Sequence, residues 1–291
     1  IIQENRLQEE FEMPFFNIVA ATNEDTVVST YDPSKVRSDC YQSEAELEKE
    51  FIRLLCEQGY TYLPLHTEDE LVANLRTCLE ELNHYTFSDT EWRQFFGDVI
   101  ANPNEHIPEK TRKIQEDNVQ ILHRDDGSTK NITIIDKRNI HNNRLQVINQ
   151  YVVTREDGAR HDNRYDVTIL VNGFPLVHVE LKRRGVAIRE AFNQIDRYQR
   201  DSFWAGCGLY EYVQIFVISN GTNTKYYSNT TRFSHIKENE TASKKRSKKT
   251  SNSFEFTSYW ADGNNRTIPD LVDFTKTFFT KHTLLNILTK Y

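Results

Sequence analysis

Residues 164–182 have the sequence Arg164-Tyr165-Asp166-Val-Thr-Ile-Leu-Val-Asn172-Gly173-Phe-Pro-Leu-Val-His178-Val-Glu180-Leu-Lys182. Two apolar, largely β-branched runs flank the Asn-Gly pair, which is the pattern of two antiparallel strands joined by a tight turn. Asp166 stands near the start of the first run, and Glu180 and Lys182 close the second. Because both runs are strongly apolar, these charged residues belong to predicted core strands rather than to a polar loop.

The length of the turn decides which side chains share a face of this hairpin. A two-residue turn at Asn172-Gly173 would pair Asp166 with Val179 and send Glu180 to the opposite face. A three-residue loop ending at Phe174 would pair Asp166 with Glu180, and such loops are common. That register also gathers one apolar face, consisting of Val167, Ile169, Val171, Val177, Val179 and Leu181. We therefore predict a three-residue loop or a bulge, with the polar side chains together on the other face: Asp166, Thr168, His178, Glu180 and Lys182.

Two carboxylates on one face are suited to a hard divalent cation, and a lysine beside them can position or activate a water molecule. This combination favours metal-dependent hydrolysis of phosphodiester bonds. The Asp…Glu-x-Lys match is weak alone, because a solvent-facing strand edge would also carry Glu180 and Lys182 as ordinary polar residues. A helix predicted over 186–200 strengthens the match, since it carries Gln194 and Tyr198 at i and i+4 on one face.

The rest of the chain predicts an α/β fold with a mixed central β-sheet flanked by helices. Ser43 and Glu46 form a capping-box pattern, and helices are predicted from there to about Gly59, over 67–83 and onward from Ser88. Strands are predicted at 60–65, 119–122, 132–135, 145–148, 213–218 and 226–227. The domain boundaries follow as an extended, wrapping segment 1–40, a catalytic domain 41–262 with a lysine-rich surface loop at 237–253, and C-terminal helices 263–291.

The composition is that of an ordinary globular chain with an acidic balance. Charged residues make up 27% of the 291 residues, the net charge is −7, and no apolar run is long enough to cross a membrane. The four scattered cysteines are typical of reduced thiols in a cytoplasmic protein. A negative net charge disfavours gripping DNA alone, so we expect local positive charge or help from another domain or subunit. The chain begins at Ile1 and stops at Tyr291 after an apolar amphipathic stretch, and we expect it to be a piece of a longer protein.

The set Asp166…Glu180-x-Lys182 followed by Gln194-x-x-x-Tyr198 resembles the PD-(D/E)xK nuclease superfamily in its RecB-like form. The fuller stretches 163–185 and 190–198 resemble, more specifically, the amino-terminal endonuclease domain of the restriction (R) subunit of type I restriction-modification enzymes. The resemblance extends through 41–60, 217–222 and 274–291, and its one departure is the lysine-rich stretch 243–249. It implies a restriction-endonuclease-like core with extra helices.

The resemblance implies a role for each matching residue. Asp166 and Glu180 would ligate Mg²⁺, with the Leu181 carbonyl as a backbone ligand. Lys182 would orient or deprotonate the hydrolytic water and stabilise charge on the phosphate. Gln194 and Tyr198 would line the site beside the DNA backbone.

Three further residues have weaker patterns. Glu48 takes the position of a first-helix glutamate that assists the metal site in related nucleases, and a solvated acid explains it equally well. Arg183 and Arg184 follow Lys182 and could contact DNA phosphates, and solvated surface arginines explain them equally well.

The resemblance also implies a larger assembly that cleaves double-stranded DNA in a bacterial or archaeal cell. In that family a helicase-like motor follows in the same subunit and translocates DNA with ATP. Methyltransferase and specificity subunits recognise the site, and cleavage falls at distant, non-specific sequence. This chain has no Gly-x-x-x-x-Gly-Lys-Ser/Thr loop, so we expect it to bind no ATP itself. Two alternatives remain, namely a free-standing RecB-like repair nuclease and a non-catalytic docking module with a decayed site.

Overall fold

The computed structural model describes residues 16–21, 27–31, 42–154, 162–203, 206–230 and 252–290. Its strands, in chain order, are β1 Phe16–Ala21, β2 Val27–Tyr31, β3 Thr61–Tyr62, β4 Val119–His123, β5 Thr129–Thr133, β6 Leu145–Val153, β7 Asn163–Val171, β8 Phe174–Leu181, β9 Ile215–Ser219 and β10 Thr224–Ser228. Its α-helices are α1 Glu44–Glu57, α2 Glu68–Asn83, α3 Asp89–Phe95, α4 Ile107–Gln115, α5 Ile188–Asp201, α6 Leu271–Phe278 and α7 Lys281–Lys290.

The first three helices begin where local sequence chemistry sets them. Ser43, Thr67 and Ser88 are their N-caps, and each belongs to a full capping box with a glutamate three residues later. The cap satisfies backbone N–H groups that a helix start leaves without partners. The predicted starts of these helices are therefore confirmed. Helix α1 also buries the predicted face, which consists of Leu47, Phe51, Leu54 and Leu55.

The central sheet has six strands in the order β10-β9-β8-β7-β6-β3. Strands β8 and β9 are parallel, as are β3 and β6, and the other neighbours are antiparallel. Both β7 and β8 lie in the middle and are buried along almost their whole length, because helices cover both faces of a sheet of this class. The mixed α/β architecture predicted from the sequence is confirmed.

The turn between β7 and β8 has two residues. Asn172 and Gly173 have φ of 50° and 84°, as a type I′ turn requires, and Val171 pairs with Phe174. The register then shifts, since Leu170 pairs with Pro175 whereas Ile169 pairs with Val177. Leu176 is thus the extra residue of a β-bulge. The three-residue loop is therefore wrong, and the bulge is confirmed. Pro175 has no N–H to donate to the ladder, which makes this position suitable for a bulge.

One hydrophobic cluster joins the sheet to the helices around it. It contains Phe51 of α1, Leu75 of α2, Ile195 of α5, and Phe278 and Leu285 of the two C-terminal helices. Tyr60, which follows helix α1, donates from its hydroxyl to the carbonyl of Phe279, between the two C-terminal helices, at 2.8 Å. No helix among the described residues is both long and apolar enough to cross a membrane.

The structure also differs from the predictions at several places. The strand predicted over 60–65 is limited to Thr61–Tyr62, and the sequence patterns missed helix α4. Within 1–40 the described residues form a β1–β2 hairpin, whose Tyr31 hydroxyl donates to Asp273 of α6 at 2.8 Å. The lysine-rich stretch 243–249 lies outside the described residues. The three cysteines in the described part of the chain, Cys56, Cys78 and Cys207, are free thiols.

Candidate active site

Strands β7 and β8 bring the predicted acids together at the end of the hairpin opposite the turn. Beyond the bulge, Val167 pairs with Val179 and Thr168 with His178, so Asp166 and Glu180 are the next opposed positions in that register. Directly opposed residues of antiparallel strands share a face. An Asp166 Oδ2 atom accepts a hydrogen bond of 2.9 Å from the backbone N–H of Leu181, next to Glu180. The predicted placement of the two acids is confirmed.

The two carboxyl groups differ in their exposure to water, and burial raises the pKa of both. Glu180 is fully buried, and Asp166 is half-buried. Burial raises the pKa of Asp166 to about 8, and the neighbouring charge of Glu180 adds to the rise. Burial likewise raises the pKa of Glu180 to about 7, and the Lys182 ammonium opposes this rise. The pair is therefore an acidic site that favours a proton or a cation between its oxygens.

Lys182 lies against the acids, directly after β8. Its Nζ atom donates to Glu180 Oε1 at 3.1 Å and to the carbonyl of Leu181 at 3.0 Å. Its backbone N–H continues the parallel pairing with β9 by donating to Ser219 at 2.8 Å. The ammonium thus contacts two of the oxygens that the resemblance implies as metal ligands.

The donor set fits a hard divalent cation. The Glu180 Oε2 atom is buried and makes no hydrogen bond, so it is an available oxygen ligand. The Asp166 carboxylate and the Leu181 carbonyl supply further oxygens, which is the ligand type that Mg²⁺ prefers. Among the described residues no three His, Cys, Asp or Glu side chains are grouped closely enough to hold a metal. The candidate site therefore has two carboxylates and one carbonyl from the protein.

His178 lies deep in the protein, under the acids. Its Nε2 atom is 3.5 Å from Glu180 Oε2, and neither atom makes a hydrogen bond. Rings surround the imidazole at centroid distances of 5.2–6.3 Å, from Tyr165, Tyr198, Phe203 and Phe216. Burial lowers the pKa of His178 to about 4, so the imidazole is neutral at pH 7. The predicted polar face of the hairpin is thus covered by aromatic side chains at this position.

Helix α5 brings Gln194 and Tyr198 to the site, as predicted. The Tyr198 hydroxyl donates to the carbonyl of Arg164 at 2.8 Å, two residues before Asp166, and Gln194 Nε2 donates to the same hydroxyl. Burial raises the pKa of Tyr198, and the charges of Glu180 and Asp166 raise it further. Tyr198 therefore lies close to both acids, and its hydrogen bond to Arg164 holds the start of β7 in position.

Two glutamates of helix α1, Glu48 and Glu44, have different surroundings. Glu48 accepts hydrogen bonds from the amides of Asn149 and Gln150 on β6, at 2.6 and 2.5 Å. It does not join Asp166 and Glu180 in a three-acid cluster. Glu44, one turn earlier, is the acid of this helix whose charge raises the pKa of Glu180. The sequence patterns pointed to Glu48 and missed Glu44, although the spacing of one helical turn places both on one side of the helix.

The two arginines after Lys182 have different surroundings. Arg183 has an exposed side chain, and its backbone N–H donates to Glu44 at 3.4 Å. Arg184 is partly buried and donates to the side chains of Gln42 and Thr222, at 3.1 and 3.4 Å. Of the two, Arg183 is the one whose charged group is presented to solvent beside the site.

A mixed sheet with an acid on one central strand, a second acid on the next and a lysine directly after it defines the class of protein. The fold is restriction-endonuclease-like.

The comparisons with known proteins identify the family within that class. Residues 41–235 match the family described as "Type I restriction enzyme R protein N terminus". The chain is 47% identical over 274 residues to the Type I restriction enzyme EcoprrI endonuclease subunit of Escherichia coli, spanning 94% of this chain and 81% of that protein. It is 36% identical over 256 residues to the Type I restriction enzyme SauMSSORF170P endonuclease subunit of Staphylococcus aureus strain MSSA476, spanning 86% of this chain and 24% of that protein. The chain belongs to the family of type I restriction enzyme R protein N-terminal domains.

Proposed function

We propose that this chain is a Mg²⁺-dependent endonuclease domain that hydrolyses phosphodiester bonds of double-stranded DNA. The observation that carries the proposal is the acid pair, in which Glu180 is fully buried and its Oε2 atom makes no hydrogen bond. Two desolvated carboxylates repel one another, and a cation shared between them removes that repulsion. The two relatives described above are both named as endonuclease subunits, which supports the same reaction class.

Each residue of the site has a role in this proposal. Asp166 and Glu180 would hold Mg²⁺ together with the Leu181 carbonyl, and the ion would supply Lewis-acid polarisation of the phosphate and a water of lowered pKa. The Leu181 N–H fixes the orientation of Asp166. The Lys182 ammonium, 3.1 Å from Glu180, is placed to orient the hydrolytic water or to neutralise charge on a phosphate. Tyr198 and Gln194 hold the start of β7 and would border the DNA backbone.

We further propose that the domain works within a type I restriction complex in the cytoplasm of a bacterial or archaeal cell. Its partners would be methyltransferase and specificity subunits and a helicase-like motor of the same subunit. ATP would be used by that motor, and cleavage would fall at non-specific sequence after translocation. The family match supports this proposal, as do relatives that extend well beyond the matched region.

Cleavage of covalently closed circular DNA tests the proposal against its alternatives. The chain and the assembled complex should be incubated with circular and linear duplexes, with Mg²⁺ or with a chelator. An endonuclease domain of this kind opens circles in the complex only with Mg²⁺ and ATP, and Asp166→Ala abolishes the cuts. Degradation restricted to linear ends would favour a RecB-like repair nuclease instead. No cleavage in any assembly would favour a docking module.

A further inference from the structure

Gln150 has a backbone conformation that its position does not explain. Its φ is 54°, in the left-handed region, although it lies inside strand β6. The other non-glycine residues with positive φ in the described part of the chain have local reasons: His84 ends helix α2, Asn172 lies in the β7–β8 turn, and Asn265 lies in the turn at 262–266. A glutamine in this region is strained, and such strain persists where the surrounding structure enforces it, often at functional sites.

The strained residue stands opposite Asp166. Asn149 pairs with Val167 and Tyr151 pairs with Tyr165, in one unbroken register, and the pair between them is missing. That missing pair would be Gln150 with Asp166. In a regular antiparallel pair the opposed Cβ atoms are about 4.5–5.5 Å apart on the same face. A regular glutamine would therefore place its side chain beside the Asp166 carboxylate, where a cation or phosphate would have to lie.

The left-handed backbone breaks this alternation, and the side chain bonds to helix α1 instead. Gln150 Nε2 donates to Glu48 Oε2 at 2.5 Å, and Asn149 Nδ2 donates to Glu48 Oε1 at 2.6 Å. Asn149 in turn accepts a hydrogen bond of 2.9 Å from the Tyr62 hydroxyl on β3. Both oxygens of one α1 carboxylate are thus held by consecutive β6 residues at the level of Asp166.

We propose that Gln150 is a positioning residue of the active site, which keeps the space opposite Asp166 open and fixes helix α1 beside the acid pair through Glu48. The inference rests on the proposed function for the nature of the ligand, a divalent cation with a DNA phosphate. Helix α1 matters to the acids because it also carries Glu44. The Glu44 carboxylate accepts the backbone N–H of Arg183, directly after the site lysine, and its charge reaches Glu180.

Measuring metal binding by the chain distinguishes a positioning role of Gln150 from a role in stability alone. Mn²⁺, a paramagnetic substitute for Mg²⁺, can be titrated into the 291-residue chain and followed by electron paramagnetic resonance. Gln150→Ala removes the amide and keeps the strain, so we expect Mn²⁺ affinity and cleavage by the complex to fall about 10–100-fold, the usual effect of losing a group from the outer shell that positions a metal site. Gln150→Gly removes the amide and relieves the strain. It should bind Mn²⁺ as weakly as the alanine variant while unfolding at a higher temperature than that variant.

A matched control and a double variant complete the test. Asn265→Ala changes another non-glycine residue with positive φ, in the turn at 262–266, and this variant should bind Mn²⁺ like the wild type. Because Gln150 acts through Glu48, the double variant Gln150→Ala, Glu48→Ala should be no weaker than Glu48→Ala alone. If the losses of Mn²⁺ affinity caused by the two single changes multiply in the double variant, the inference is overturned. Wild-type Mn²⁺ affinity in both Gln150 variants would also overturn it. In either case the proposed function would stand as long as Asp166→Ala abolishes cleavage, and it fails separately if Asp166→Ala cuts DNA normally.

Discussion

Asn172 at the turn of the β7–β8 hairpin and Glu180 at its open end are equally buried, but only Asn172 has hydrogen-bond partners for all of its buried side-chain polar atoms. At the turn, the Asn172 side chain accepts from Arg144 N–H at 2.8 Å and donates to Ile134 and Asn143 at 3.0 and 2.8 Å. At the open end, Glu180 Oε2 and His178 Nε2 are buried without hydrogen bonds. Asn172 is 1% exposed and Glu180 is 0% exposed, so burial does not account for the difference.

The difference shows which end stabilises the fold and which end is kept for a ligand. A buried polar group with all its bonds made adds to stability, whereas one without a partner lowers it by roughly 1–3 kcal/mol. Buried polar groups without partners are rare in folded proteins, and carboxyl groups with strongly raised pKa values are concentrated at functional sites. Variants at the turn should therefore lower the free energy of unfolding and leave DNA cleavage unchanged. Variants at the open end should abolish or weaken DNA cleavage and leave the protein folded.

The largest expected effect is the loss of DNA cleavage in Asp166→Ala or Glu180→Ala. Either change removes one of two carboxylates, which leaves too few hard oxygen ligands for Mg²⁺. Cleavage by the assembled complex should become undetectable, while circular dichroism shows a folded protein and the complex still hydrolyses ATP. Asp126→Ala, an acid in the β4–β5 turn, is the matched control and should cut normally. Wild-type cleavage by either site variant would refute the assignment.

Lys182→Ala should lower the cleavage rate about a hundredfold or more, the usual contribution of one positioned acid–base or charge-stabilising group. Lys182→Arg should restore little of that rate, because guanidinium is a wide planar fork that does not deprotonate near neutral pH. Single-turnover cleavage rates at saturating Mg²⁺ would measure both effects. An arginine variant with full activity would exclude a water-activating role and leave a purely electrostatic one.

At the turn, Gly173→Ala should reduce the free energy of unfolding by about 2 kcal/mol or more. A Cβ at Gly173 would lie 2.6 Å from the Leu75 Cα atom, and the φ of 84° is strained for alanine. Asn172→Ala should reduce the free energy of unfolding by about 1–3 kcal/mol, because the groups bonded to the Asn172 amide lose their hydrogen bonds. Urea denaturation measures the loss. Cleavage per folded molecule should be unchanged, and a parallel loss of catalysis would show that the two ends are coupled.

The acid pair should make stability depend on pH when no metal is present. When the pKa of a carboxyl group is higher in the folded state than in the unfolded chain, the free energy of unfolding falls as the pH rises between the two pKa values. For Asp166 the window runs from about 4 in the unfolded chain to about 8 in the folded one. Asp166→Asn should therefore gain stability relative to wild type as pH rises through this window. Thermal melts in a chelator would measure it, and a flat difference between pH 4 and 8 would contradict it. Mg²⁺ should stabilise the wild type and not the variant.

The smallest effect is expected at Arg183. Its exposed side chain can reach a phosphate, so Arg183→Ala should weaken DNA binding modestly and reduce the salt dependence of binding by about one unit of slope. Arg184→Ala should leave that slope unchanged, because the Arg184 side chain is engaged with Gln42 and Thr222. DNA affinity measured over a range of salt concentrations distinguishes the two. Equal slopes for both variants would contradict the assignment of Arg183 to the DNA surface.

Much of the architecture and the site could be predicted because it depends on short-range patterns. The capping boxes at Ser43 and Thr67 mark helix starts within a few residues, and the apolar runs around Asn172 mark the central hairpin. The shared face of Asp166 and Glu180 followed from matching apolar residues to one face. The choice between a three-residue loop and a bulge did not follow from that matching, because the Asn-Gly pair sets a two-residue turn and the bulge at Leu176 then shifts the register.

The sequence by itself determined the acid–acid–lysine hairpin, the helix that follows it and the family to which the chain belongs. Only the tertiary structure decided which acid of α1 approaches Glu180, that His178 is enclosed by rings, and that Gln150 is strained opposite Asp166. These features arise where elements distant in sequence meet, such as Glu48 with Gln150, 102 positions apart. Periodicity and capping describe one element at a time. The burial and hydrogen bonding that shape this site depend on how the elements pack together.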